Sequence, residues 1–164
     1  MSSTTAPGEQ SPFDVHVEGV VSPGFGHASG TRSTKYPEGT INLQRPHFLA
    51  LGLDIRHCHA GTINLSIAPR TYRVRNPEFV LREVLWKPER RPENFFIGRC
   101  RIARGKEHWI DGFIYFPDPS TKESTRDDPS HFQLLAPYIP AVAYGDRLGM
   151  RFRSSEFELL GSPA

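Results

Sequence analysis

The sequence predicts a mainly β protein, a small and largely antiparallel barrel of about seven or eight short strands joined by long loops. Three observations support this fold class. Apolar and polar side chains alternate over many short stretches. The chain contains 15 prolines and 14 glycines, which interrupt helices and favour turns. Its 164 residues suffice for one domain with a sizeable core. We expect that domain to span 13–153, between a disordered tail over 1–12 and a C-terminal tail over 154–164.

The expected strands share a two-residue alternation of apolar and polar side chains. They cover 14–21, 41–43, 62–67, 72–74, 95–103, 107–116, 132–137 and 148–152. The turn residues Gly105-Lys106 predict a hairpin between two of these strands. A helix is expected over 76–86, because Asn76 can cap it, Pro77 suits its first position and Glu78 its first turn. Residues 46–53 could add one or two helical turns.

One pentapeptide occurs twice, as residues 39–43 and again 22 residues later as Gly61-Thr62-Ile63-Asn64-Leu65. In the second copy an alternating strand follows a glycine turn. Thr62 and Asn64 therefore fall on one face of that strand, and the apolar residues fall on the other. A hydroxyl and a carboxamide side by side can bind a hard cation or a phosphate. The competing interpretation is that both side chains only bond to a neighbouring loop.

Composition excludes several classes of function. The formal net charge of +2 is too small to indicate a nucleic-acid partner. No apolar run reaches the length that spans a membrane. The first residues lack the basic and apolar regions of a secretory signal, and the two cysteines are too few for a disulfide framework. We therefore expect a cytoplasmic protein without a membrane partner, in which Cys58 and Cys100 are packed thiols.

Several short motifs follow one another along residues 14–153. They are residues 18–26, 48–54, 61–65, 95–98, 110–114, 116–117, 133–137 and 145–148. This order resembles that of the archaeal CTP-dependent riboflavin kinases. The resemblance implies a six-stranded cradle-loop barrel, and the transfer of a γ-phosphate from CTP, with Mg²⁺, to riboflavin or a similar small alcohol. The product from riboflavin would be FMN.

The resemblance also assigns roles to individual residues. It identifies the second pentapeptide as the family's Gly-Thr-Leu-Asn motif, so Thr62 and Asn64 would bind the metal. Gln133 and Thr125, with Thr121 as an alternative to the threonine, would contact the flavin or another acceptor. The nucleotide would be bound by two segments, which comprise Gly24, Phe25, Gly26, His27, Ala28, Ser29, Gly30, Tyr138, Ile139, Pro140 and Ala141.

Two departures from the family pattern leave other functions open. Gln133 replaces the family's glutamate, and the segment 138–141 lacks the family's basic residues. A barrel that binds a nucleotide or flavin without catalysis is the first alternative, and a small DNA-binding or interaction barrel is the second. His57 and His59 would share a face if they lay on a strand, and with His27 or His47 they could bind a metal.

Overall fold

A computed structural model describes residues 12–23, 39–105, 108–121 and 128–161. Of these residues 44% are in strands and 9% are in one short helix. The predicted mainly β barrel is confirmed. Within the described ranges no helix has the length and apolar character needed to cross a membrane.

Nine strands and one helix make up the described secondary structure. They are β1 (Val15–Ser22), α1 (Thr40–Ala50), β2 (Ile63–Ser66), β3 (Thr71–Val74), β4 (Phe79–Val84), β5 (Glu93–Ala103), β6 (Ile110–Pro117), β7 (His131–Leu135), β8 (Arg147–Phe152) and β9 (Phe157–Leu160). The order β5–β6–β7–β2–β1–β8 returns to β5 and closes a six-stranded antiparallel barrel. β4 adds to one edge of β5, and β3 pairs with β9.

β5 closes the barrel because it has different neighbours along its length. Its first half pairs with β4, and its last residues, from Arg101 to Ala103, pair with β8. Gly98 lies between these two regions. A Cβ atom there would lie 2.6 Å from the Phe157 ring and 2.9 Å from the Glu156 carboxylate. Only glycine at position 98 leaves room for the segment of Glu156 and Phe157, which packs across β5 here.

Two apolar clusters lie on opposite faces of the barrel wall. The first fills the interior, and its fully buried members include Leu65, Ile102, Ile114, Phe132, Leu134, Met150, Phe152 and Phe157. The second lies outside the wall, between α1 and the outer face of β5 and β6, and includes Ile41, Phe48, Leu81, Phe95, Ile97, Phe113, Tyr115 and Leu135. α1 therefore covers one part of the outer surface of the barrel.

The first copy of the pentapeptide was expected to form a strand over 41–43, and this prediction is wrong. Thr40–Ala50 is helical. Ile41 of this copy has a helical spacing with Gln44 and Phe48, which follow the copy, and all three side chains are buried against the sheet. The second copy contributes β2, in which Leu65 points into the barrel.

The helix expected over 76–86 is also wrong, because Phe79–Val84 forms β4. Here Leu81 and Val84 are buried against β5 and the α1 cluster. Residues 76–78, which predicted the start of a helix, make different hydrogen bonds in the structure. The backbone N–H groups of Asn76 and Glu78 donate to the Glu156 backbone carbonyl and carboxylate, at 3.2 Å and 2.6 Å. A distant segment therefore accepts hydrogen bonds from the backbone N–H groups that a helix cap would otherwise have satisfied.

Residues 154–164 were expected to form a tail, but their first half is part of the fold. Phe157–Leu160 forms β9, which pairs with β3, and the Phe157 side chain is fully buried in the barrel interior. The strands expected over 14–21, 72–74, 95–103, 107–116, 132–137 and 148–152 are confirmed with small shifts in their ends, as is the hairpin of β5 and β6.

The two isoleucines of the repeated pentapeptide provide a matched test of this fold. Ile41 is fully buried on the sheet-facing side of α1, whereas Ile63 is only half-buried at the start of β2. Ile41→Ala should lower the free energy of unfolding by about 3 kcal/mol, and Ile63→Ala by about half as much, because less apolar area is lost. Urea denaturation measures both values, and equal losses would contradict the assignment of the first copy to a buried helix.

Candidate functional site

The candidate site is a row of polar side chains on the outer face of the barrel. In β2, Leu65 points inward, so its neighbour Asn64 lies on the outer face. Asn64 is directly opposite Ser22 of β1 and Gln133 of β7. Gln133 is in turn directly opposite Tyr115 of β6. Residues opposite one another in antiparallel strands share a face, with Cβ atoms about 5 Å apart. The barrel therefore places the expected metal ligand Asn64 beside the expected acceptor residue Gln133.

The two ends of this row differ in their hydrogen bonds. At one end the Tyr115 hydroxyl is buried and donates to Gln44 Oε1 of α1 at 2.7 Å. Burial raises the pKa of Tyr115 well above its usual value, so this hydroxyl stays protonated. At the other end the Ser22 hydroxyl donates to the Asn64 backbone carbonyl at 3.4 Å. The row therefore runs from a closed end beneath α1 to a half-exposed end near β1.

The central side chains of the row have unused hydrogen-bonding capacity. Thr62, two residues before Asn64, falls on the same face of the extended chain. The side chains of Thr62, Asn64 and Gln133 are half-buried. Within the described ranges they make no hydrogen bond with another protein group. The competing interpretation, in which Thr62 and Asn64 bond to a neighbouring loop, gains no support from these residues.

The donor set at this edge suits Mg²⁺ only together with other ligands. The Thr62 hydroxyl and the Asn64 carboxamide offer two neutral oxygens, and Mg²⁺ prefers six oxygen ligands, several of them from water or phosphate. In the part of the chain that the structure describes, no group of three histidine, cysteine, aspartate or glutamate residues is placed to hold a metal ion. The residues therefore fit a metal that arrives with phosphate oxygens, not one held by protein groups alone.

The connection between β7 and β8 lies at the same end of the barrel as Thr62. The His59 N–H donates to the Ala136 carbonyl at 2.7 Å, just before the second pentapeptide. Further along, the Gly145 N–H donates to the Val21 carbonyl and the Val21 N–H to the Asp146 carbonyl, both at 2.8 Å. The connection thus spans from the start of β2 to the end of β1.

The expected nucleotide segment 138–141 is part of this connection. Tyr138 is 69% exposed, and its ring centroid lies 5.5 Å from that of His59. The segment has no charge of its own, but Arg104 donates to the Pro140 carbonyl at 2.9 Å from 36 residues away in the sequence. Nothing in the sequence predicts that Arg104 contacts this segment, because only the closure of the barrel brings the end of β5 beside the connection.

The remaining expected contacts fall outside the described residues or in other surroundings. Residues 24–30 and Thr125 lie outside the described ranges. Thr121 is described, and its hydroxyl accepts a hydrogen bond from the Asn94 N–H and donates to the Asp118 carbonyl, both at 3.0 Å. It therefore stabilises the loop after β6.

The two histidines of the alternative metal hypothesis do not lie together on one strand face. Residues 57–59 lie in a turn, not on a strand. The His57 ring packs 6.2 Å from Phe113, whereas the His59 ring packs against Tyr138. The two imidazoles therefore have different surroundings. This arrangement, together with the absence of a three-residue ligand group in the described ranges, does not support the metal hypothesis.

A further cleft lies elsewhere on the barrel. It has a volume of about 670 Å³ and lies over the outer face of β5 and β6. Its walls include Phe13, residues 52–54, His57, Glu78, Phe79, Arg99, Arg101, Asp111, Phe113 and Arg153. Neither Thr62, Asn64 nor Gln133 contributes to it, so this cleft and the polar row are separate features.

Comparisons of the chain with protein-family models, with curated proteins and with solved structures find no match.

Both cysteines are buried and free, which excludes an activated thiol nucleophile at either position. Burial raises the pKa of Cys58 to about 11 and raises that of Cys100 further.

At pH 8 the Cys58 thiolate should amount to roughly one part in a thousand. The native protein should therefore react slowly with a thiol reagent such as DTNB, and faster as the pH approaches 11. Both thiols should react promptly in guanidinium. Rapid labelling of one thiol per native chain at pH 8 would contradict this environment, and Cys58→Ser identifies which thiol reacts.

Proposed function

We propose that this barrel is a nucleotide-dependent phosphotransferase of the riboflavin kinase type. It would transfer the γ-phosphate of a nucleoside triphosphate, CTP by resemblance, to riboflavin or a similar small alcohol. The observation that carries this proposal is the register of β2 and β7, which sets Asn64 directly opposite Gln133. The free thiols of Cys58 and Cys100 favour a cytoplasmic location for such an enzyme.

The metal side of the proposed site consists of Thr62 and Asn64. Their oxygens would bind Mg²⁺, which, when bound with the nucleotide, neutralises phosphate charge. Both side chains are half-buried and lack hydrogen bonds with described groups, so neither would have to break an existing bond. The rigid pairing of β2 with β1 and β7 would hold them in place. The protein's contribution on this side is the positioning of the reacting phosphate.

The acceptor side would be formed by Gln133. A carboxamide can accept a hydrogen bond from the acceptor hydroxyl and donate one to the acceptor ring, but it cannot take up a proton. Phosphoryl transfer depends mainly on positioning and charge stabilisation, so a neutral orienting residue is compatible with it. The distance of about 5 Å between opposed Cβ atoms would allow Asn64 and Gln133 to contact both partners of one transfer.

The nucleotide side would involve Tyr138, Ile139, Pro140 and Ala141 in the connection from β7 to β8. Arg104 would supply the positive charge that this segment lacks, because its guanidinium already contacts the Pro140 carbonyl. A guanidinium binds phosphate oxygens through two parallel hydrogen bonds. The exposed Tyr138 ring offers an apolar face beside the same segment.

A second candidate is a barrel that binds a nucleotide or flavin without catalysis. The specific observation that favours it is the neutrality of the row of Ser22, Asn64, Gln133 and Tyr115, which contains neither a base nor a cation.

One assay distinguishes the two functions. The purified full chain is incubated with riboflavin, Mg²⁺ and each of CTP, ATP, GTP and UTP in turn, and FMN is measured. FMN formation supports the kinase. Nucleotide or riboflavin binding without FMN supports the second candidate, and the absence of both turnover and binding rejects both.

The repeated pentapeptide supplies a matched control for the metal side. Asn64→Ala should lower kcat/KM for FMN formation on the order of 100-fold, because a ligand to the reacting phosphate and its metal is lost. Asn42→Ala changes the same residue in the same five-residue sequence, but in α1, and should change kcat/KM less than about twofold. Circular dichroism checks that both variants fold. Equal losses in the two variants would place the metal elsewhere.

Gln133 tests the acceptor side separately. Gln133→Ala should raise KM for riboflavin about tenfold, because one or two hydrogen bonds to the acceptor are lost. The affinity for the nucleotide, measured by calorimetry without riboflavin, should remain the same. A change in nucleotide affinity with an unchanged KM for riboflavin would contradict the assignment of Gln133 to the acceptor.

A further inference from the structure

A group of basic side chains lies on the outer face of the barrel, where β5 and β8 meet. Arg101 of β5 is directly opposite Arg151 of β8, and Arg151 is directly opposite His16 of β1. Opposed residues share a face, so three basic side chains occupy neighbouring positions across three strands. We call Arg101, Arg151 and His16 the basic row.

The charges of the basic row are only partly compensated. Like charges directly opposite one another destabilise a sheet. Arg101 Nε lies 3.4 Å from Asp111 Oδ1, but the Asp111 side chain is 87% exposed, so solvent screens this pair. Within the described ranges Arg151 and His16 have no carboxylate partner. In the part of the chain that the structure describes, the carboxylate paired with these two guanidinium groups is that of Asp111, and this pair is weak.

Aromatic rings hold both guanidinium groups in place. Arg151 Cζ lies 4.2 Å from the centre of the Trp109 ring, and Arg101 Cζ lies 5.1 Å from the centre of the Phe13 ring. Stacking of this kind orients a guanidinium while its N–H groups at the edge remain able to donate. Part of the cost of ordering two long side chains is therefore already met before any ligand binds.

Gly149 allows the ring cluster to form. It lies on the same face as Arg151, two residues earlier in β8. A Cβ atom at this position would lie 3.3 Å from both His16 Nε2 and Trp109 Cη2. The absence of a side chain lets the imidazole and the indole approach the strand, where their ring centroids lie 5.6 Å apart.

Two other arginines near this surface have closer carboxylate partners than Arg101 has. Arg99 pairs with Glu78 at 3.1 Å, and Arg153 pairs with Glu156 at 3.1 Å. Those contacts explain why these two side chains lie where they do. Among the described residues the carboxylate contact of the basic row is the longer pair of Arg101 with exposed Asp111, and an anion bound between Arg101 and Arg151 would stabilise their opposed positions.

We propose that the basic row binds the phosphate group of a small organic phosphate ester. Two guanidinium groups on adjacent strands present forked donors that match the oxygens of one phosphate. Arg101 and Phe13 also line the cleft of about 670 Å³, which can accommodate the organic part of the ligand. The row presents two guanidinium groups on adjacent strands and the net charge of the chain is +2, so the row suits one or two phosphates, not a polyanion. This site is distinct from the edge formed by Thr62 and Asn64.

The test measures binding of phenyl phosphate and of inorganic phosphate to the full chain by calorimetry and by tryptophan fluorescence. Phenyl phosphate should bind more tightly than inorganic phosphate and should change the emission of Trp109. Trp109→Phe removes that signal and identifies its source, because Trp86 is the other tryptophan and is buried elsewhere. Asn64→Ala should bind phenyl phosphate as the native protein does, which separates this site from the proposed kinase site.

Arginine variants decide whether the row is the site. Arg151→Gln should weaken phenyl phosphate binding about tenfold, and Arg151→Lys should weaken it less, because the charge remains while the fork is lost. Arg147→Gln is the matched control. It removes the same charge from the same strand about 13 Å away, and should have less than a twofold effect.

Three outcomes would overturn the proposal. The first is no binding of either phosphate at about 10 mM, since a specific site should bind more tightly than this. The second is binding that Arg151→Gln and Arg147→Gln weaken equally, which indicates general electrostatic attraction. The third is binding of a ten-residue oligothymidylate without binding of phenyl phosphate, which indicates a polyanion surface instead of a site for a small ester.

Discussion

The pairing of β5 with three neighbouring strands is the constraint on which the rest of this structure depends. β5 pairs with β6 along one edge and with β4 and then β8 along the other. The change of partner takes place around Gly98, where the absence of a Cβ lets Phe157 and Glu156 pack against the strand. Without this change of partner the six strands would not close into a barrel, and neither cluster of buried side chains would be complete.

Closure also determines where polar groups can lie on the outside of the barrel. α1 and the loop after it cover β5 and β6, so Ile97 and Tyr115 are buried on the outer face. The same cross-strand row continues on β7, β2 and β1 as Gln133, Asn64 and Ser22, whose side chains are half-buried. A polar edge beside a buried apolar cluster is a suitable place for a ligand with both polar and apolar parts.

Much of the barrel could be predicted because the strand period is local. Alternation is sufficient to locate β1, β5, β6, β7 and β8, and to place Thr62 and Asn64 on one face. The neighbours of these residues could not be predicted, because strand order and register depend on the packing of the whole chain. The contact of Arg104 with Pro140 and the opposition of Arg101 and Arg151 both arise from closure between β5, β7 and β8.

The repeated pentapeptide separates what local sequence determines from what the tertiary structure decides. Its composition allows either a strand or a helix: residues 40–43 of the first copy begin α1, and residues 63–65 of the second copy lie in β2. The sequence by itself determined the β class, most strand positions and the polar face of the second copy. The tertiary structure decided the state of the first copy, the strand at Phe79–Val84 and the strand at Phe157–Leu160. In each case burial against a distant strand outweighs local propensity, which amounts to less than about 1 kcal/mol per residue.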